Sequence, residues 1–181
     1  LSAQKIWFDE TVGRLNKDGN GRLLGRFEEI DRIIAFYKDG NYELTDFELS
    51  NRFEIDSLVA IEKFNPSKPI SIVYLDAKAN QHYAKRFIVE AQTLKSKYSI
   101  IKDGEDNMLK LATTLEEPII ILKSGKKKTE LTEEEISLSE KVDITGWKTI
   151  GTKIGTSELK EINLKQEPVD GQDEASAPTL F

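Results

Sequence analysis

One short phrase recurs about four times along this chain. An apolar, β-branched run ends in a polar turn, and a charged, alternating run comes back. The copies lie at residues 5–15 (KIWFDETVGRL), 31–47 (DRIIAFYKDGNYELTDF), 69–89 (PISIVYLDAKANQHYAKRFIV) and 118–132 (PIIILKSGKKKTELT). Repetition on this scale marks stacked or radial architectures, in which each unit buries its apolar face on its neighbours. Function is then expected from a surface that the units build together.

The apolar runs at residues 32–37, 70–75 and 119–122 are rich in Ile, Val and aromatics and are bounded by Asp-Gly, Pro or Lys-Ser-Gly. Short bounded runs of this kind read as buried strands. Residues 38–41 (Lys-Asp-Gly-Asn) make a strong hairpin turn, because Asp-Gly supplies the positive φ of a tight turn. Residues 124–125 serve similarly, and residues 77–80 make a looser turn. Single strands are expected between the hairpins, at residues 22–27, 57–64, 108–113 and 142–150. The unit is one strand plus a hairpin, recurring at roughly 35 to 50 residues, the range of propeller blades. Helix is scarce: residues 131–138 could form a short turn, with Thr132 and Glu135 as a capping box.

Composition limits the function classes. The chain has 181 residues, 38% apolar and 32% charged, which suits one domain with a large polar surface. With no Cys, disulfides and thiolate metal sites are excluded. No apolar run is long enough to span a bilayer as a helix, and no signal peptide is visible. Leu1 begins the sequence and Met108 is the only Met, so a cut from a longer protein is expected. The net charge of −6 is uneven: residues 157–181 hold six acids against two bases, leaving −2 on the body. Residues 1–156 are expected to form the domain and 157–181 an acidic, disordered tail.

No residue set looks catalytic. Residues 16–29 (NKDGNGRLLGRFEE) imitate a calcium loop, but its twelfth position, where a bidentate Glu is needed, is Phe27. The expectation is a Gly-rich β-turn. His82, the only histidine, has no nucleophile or acid with which to form a triad, and Glu133, Glu134 and Glu135 read as a solvated face. Basic residues, by contrast, recur near turns: Arg14, Lys17, Arg22, Arg26, Lys38, Lys78, Lys85, Arg86, Lys95, Lys97, Lys148 and the run Lys126, Lys127, Lys128. Recurrence on each unit would lay a positive track along a rim. Such a track holds a nucleic-acid backbone without reading sequence.

The segments 5–15, 27–47 and 70–90, followed by 142–154 (VDITGWKTIGTKI), resemble the C-terminal DNA-wrapping domain of bacterial type IIA topoisomerase A subunits, the DNA gyrase and topoisomerase IV group. The likeness is closest to the short topoisomerase IV type of Bacteroidetes-like bacteria. It implies an all-β, β-propeller-like β-pinwheel whose blades exchange strands, here with about four blades in a partial or open arrangement. It also implies duplex DNA as partner, bound by the basic residues named above. The remainder of the A subunit and its ATPase subunit would be further partners, with no membrane and a cytoplasmic, nucleoid-associated location. The domain itself would be non-catalytic and without cofactor, ATP and Mg being used by other domains. The gyrase box, a Gln-Arg-Arg-Gly-Gly type segment, is absent, which speaks for relaxation or decatenation rather than negative supercoiling. The rival expectation is a propeller-like protein-interaction module that binds no nucleic acid.

Overall fold

A computed structural model describes residues 2–166. The hairpins form where the repeats predict them: β1 (Gln4–Asp9) with β2 (Arg14–Asn16), β4 (Ile33–Tyr37) with β5 (Asn41–Thr45), β7 (Ile70–Asp76) with β8 (Gln81–Phe87), and β11 (Ile119–Ser124) with β12 (Thr132–Ser137). In the second hairpin Gly40 sits at φ +91°, and a Cβ there would overlap the Ile101 side chain, so the turn requires glycine.

Each hairpin gains a strand on the side of its first member. These are β3 (Arg22–Phe27) on β1, β6 (Leu58–Lys63) on β4, β10 (Met108–Thr113) on β7 and β14 (Leu159–Leu164) on β11. Four antiparallel sheets result, each a blade. The added strands are innermost. β3 adjoins β6, β6 adjoins β10, and β10 adjoins β14. Arg22, Glu62, Lys110 and Asn163, one from each of these strands, line a common cavity of about 470 Å³.

Strand exchange follows one rule. The stretch after a given hairpin crosses back and covers the outer strand of the preceding blade. β9 (Lys97–Ser99), which follows the third hairpin, pairs with β5, and β13 (Thr152–Ile154), which follows the fourth, pairs with β8. After the second hairpin, Arg52 bridges to Arg14 and the Phe53 N–H donates to the Gly13 carbonyl at 3.0 Å. The described residues therefore form a four-bladed β-pinwheel.

Three apolar clusters join neighbouring blades. In β4, Ile33, Ala35 and Tyr37 face the first blade, while Ile34 and Phe36 face the third. Burial on both faces explains why this strand reads as an unbroken apolar run. Among the described residues, no cluster joins the fourth blade to the first.

The structure departs from the sequence expectations in three places. Residues 132–137 form β12 rather than a helix, and the only helical turn among the described residues is α1 (Leu138–Lys141). Thr132 and Glu135 both lie within β12, paired with Ser124 and Ile121, so the capping box does not form. The ladder to β11 and the burial of Ile136 and Leu138 outweigh local helix preference. Residues 142–150 run as turns and a single bridge, and the strand comes later, at β13. Finally, β14 lies beyond residue 156, so the folded body continues past the expected boundary. The disordered tail expected beyond it falls, from residue 167 on, outside the described residues.

Candidate nucleic-acid interface

The sequence-derived basic residues separate into groups. Lys38, Lys78 and the run Lys126, Lys127 and Lys128 are exposed at the tips of the second, third and fourth hairpins, the equivalent place in each blade. Lys17 and Arg26 are exposed beside the first blade. Arg22 belongs to the inner strand β3, and its guanidinium donates to the Ile61 carbonyl at 2.6 Å, facing the central cavity rather than a rim.

Lys85 and Arg86 are not surface residues; they are 2% and 7% exposed. The Lys85 ammonium donates to the carbonyls of Trp147 and Thr149 at 2.7 and 2.9 Å. The Arg86 guanidinium donates to the Val142 carbonyl at 3.0 Å, and the Thr145 N–H donates to the Arg86 carbonyl at 2.9 Å. Adjacent residues in a strand point to opposite faces, but here both faces of β8 are covered. The two cations fasten the segment 142–149 onto the third blade. Desolvation lowers the Lys85 pKa to about 8.

That fastening shapes a patch. Trp147 lies edge-on to Tyr98 with ring centroids 6.5 Å apart, and Tyr98 stacks on Tyr42. Lys97, on β9, sits over the Tyr37 ring at 5.0 Å, and Lys148 over the Trp147 ring at 5.6 Å. Lys95, Lys97 and Lys148 are all exposed. Of the expected cations, Lys148 thus lies against the Tyr98–Trp147 pair at the junction of the second and third blades, while Lys97 lies over Tyr37 on the face towards the first blade.

The exchanged strands show a periodicity that inspection of turns missed. Each carries one exposed base: Arg52 on the first blade, Lys97 on the second, Lys153 on the third. Arg14 and Arg52 lie opposite each other at the first blade's edge, and neither forms an ion pair among the described residues. Like charges placed opposite each other across strands repel, and an anion between them relieves that repulsion. The signal available in the sequence was a base beside an apolar residue after each hairpin, as in Arg52-Phe53, Lys97-Tyr98 and Lys153-Ile154.

The calcium-like loop is organised by Asn16. Its Oδ1 accepts from the Asp18 and Asn20 N–H groups and its Nδ2 donates to the Asn20 carbonyl. The described residues hold no group of three or more His, Cys, Asp or Glu able to take a metal ion. No helix among them is long and apolar enough to cross a membrane.

A family model described as the topoisomerase C-terminal domain of Bacteroidota matches residues 14–167. The chain belongs to that family. A comparison with curated proteins found no significant match. The match runs through β14 and so includes the strand beyond residue 156. Within this topoisomerase C-terminal domain, exposed bases lie on the exchanged outer segments and the hairpin tips.

Proposed function

We propose that this is the C-terminal domain of a DNA topoisomerase IV A subunit, and that it binds and bends duplex DNA through backbone phosphates. The bent segment guides strand passage, in decatenation or relaxation, by the catalytic core elsewhere in the enzyme. On this reading the domain performs no chemistry, and ATP and Mg act in other parts of the enzyme. The partners are duplex DNA, the rest of the A subunit and the ATPase subunit, in the bacterial cytoplasm at the nucleoid.

One observation carries the reading: an exposed base on the exchanged segment at the outer edge of three successive blades, Arg52, Lys97 and Lys153. Bases spaced by blades contact phosphates along a curved path, which fixes the DNA backbone without reading bases. Bending 20–30 base pairs by 40–90° costs roughly 1–6 kcal/mol, which several phosphate contacts offset. The exposed Lys148 over Trp147, beside Tyr98, supports the second-to-third blade junction as a further contact point.

The mobility of the domain bound to circularly permuted duplex fragments tests bending directly. The expected result is a mobility that depends on the position of the bound site, and binding that is weakened by the triple variant Arg52→Glu, Lys97→Glu and Lys153→Glu. All three side chains are exposed, so the variant should keep its melting temperature. A position-independent mobility under conditions where the domain is bound would contradict bending.

A further inference from the structure

Among the described residues, the second strand of each hairpin is covered in three blades and bare in the fourth. The stretch around Arg52 covers β2, β9 covers β5 and β13 covers β8. By the exchange rule, β12 would be covered by a stretch following a fifth hairpin. Among the described residues β12 ends its sheet, in the order β12-β11-β14. Its outward N–H and C=O groups are therefore an open template for another strand.

The covering strands share a chemistry, a base next to an apolar or aromatic residue. The docking register supplies a precedent, because Lys97 lies directly opposite Glu43 on β5. On β12 the sequence is Thr-Glu-Glu-Glu-Ile-Ser. Glu133 and Glu135 are partly answered within the blade, by Lys123 at 3.8 Å and Lys165 at 2.8 Å. Glu134 is exposed, has no ion pair among the described residues, and lies opposite the buried Leu122. It therefore holds a position on the sheet face that carries the blade's core.

We propose that the β12 edge is a docking site for a basic, extended segment of a partner polypeptide, which adds as the missing outer strand of the fourth blade. Main-chain hydrogen bonds would supply the attachment, and the acidic row would select the charge. The same row disfavours other occupants. A second copy pairing through β12 would set glutamates against glutamates. Residues 167–181 hold four acidic residues and no Lys or Arg, so they lack the charge that the row would select. Docking of a basic strand would also extend the basic rim onto the blade that, among the described residues, has no exchanged strand, although the inference stands whether or not that rim binds DNA.

The test uses the full chain and a fluorescein-labelled peptide of sequence KTIGTKIG, that of residues 148–155, which covers the preceding blade. Anisotropy reads binding, and amide hydrogen exchange reads its location. The expected result is saturable binding with at least tenfold slower exchange across residues 132–137. Binding should weaken at least tenfold when both peptide lysines are replaced by Glu, and likewise with Glu134→Lys in the protein, whose melting temperature serves as the folding control. Absence of binding, or binding that leaves β12 exchange unchanged, would overturn the proposal. So would self-association lost in Glu134→Lys, which would make a second copy the occupant. Faster exchange in β12 on deleting residues 167–181 would overturn it too, making that segment the occupant.

Discussion

Lys85 and Trp147 are joined across 62 positions of sequence by a hydrogen bond of 2.7 Å from ammonium to backbone carbonyl. The same ammonium holds the Thr149 carbonyl at 2.9 Å. The bond converts a buried cation into the anchor of the loop that presents Trp147 and Lys148. Two effects oppose each other in stability. Desolvation of the charge costs free energy, while each hydrogen bond returns about 1 kcal/mol, more when charged.

Lys85→Met is therefore expected to change global stability little at pH 7, yet to speed amide exchange in residues 145–151. The pH dependence has a definite sign. The folded pKa, about 8, lies below the ordinary 10.5, so the unfolded chain holds the proton more tightly between those values. Wild type should gain stability relative to Lys85→Met as pH rises from 8 to 10, by on the order of 2 kcal/mol. Denaturant melts at several pH values check this, and a flat difference would contradict it.

His82 titrates in the acid range. Burial, with a smaller contribution from the Lys110 charge, lowers its pKa to about 4 from 6.5. Its stabilising contribution is fully present above pH 6.5 and is lost as pH falls towards 4, on the order of 3 kcal/mol in all. Glu62, whose pKa burial raises, changes stability in the opposite sense over acid pH. The clean measurement is thus wild type minus His82→Gln, in which the Glu62 contribution cancels. The difference should move against wild type as pH falls from 7 to 4.5.

Glu62 lies buried on β6, where Oε1 accepts from the Thr113 hydroxyl and from the Thr114 N–H and hydroxyl. Oε2 has no partner. Glu62→Gln keeps the acceptor and removes the charge, so it should gain stability over wild type as pH rises. Glu62→Leu strands three donors and should cost about 1–3 kcal/mol at neutral pH. Thermal melts of the two variants at pH 5 and 8 separate these outcomes.

Gly21 and Asp18 test the calcium-like loop. Gly21 has φ +89°, and a Cβ there would overlap the Phe8 carbonyl oxygen. Gly21→Ala should cost about 2 kcal/mol or more, through backbone strain and steric overlap. Asp18 is exposed and contributes its N–H, not its carboxylate, to the Asn16 turn. Asp18→Ala should stay within about 0.5 kcal/mol of wild type, and millimolar calcium should leave both melting temperatures unchanged.

Much of the fold was legible because it rests on local chemistry. The run Ile33–Tyr37, buried on both faces, and the Asp39-Gly40 turn each declare themselves in a few residues. The exchanged strands do not. β9 and β13 are three residues long and owe their conformation to partners far away in sequence, β5 and β8. β12 misled for the same reason, since Thr132 to Glu135 favours a helix locally and only the ladder to β11 makes it a strand. For the candidate interface, composition could count bases but not orient them. Lys97 and Lys85 look alike in sequence, yet one is exposed over Tyr37 and the other is clamped beneath Trp147. Arg52 and Lys153 became visible only once the outer strands were placed.

The central claim is that the outer basic rim binds duplex DNA through phosphates. An anisotropy titration of a labelled duplex over a salt series, with wild type and the Arg52→Glu, Lys97→Glu, Lys153→Glu variant, tests it most directly. The log–log salt slope should be roughly 0.9 per phosphate contacted, and the triple variant should bind more weakly with a slope shallower by about 2–3. No binding by folded wild type at low salt, or an unchanged slope in the variant, would contradict the account and favour the protein-interaction reading.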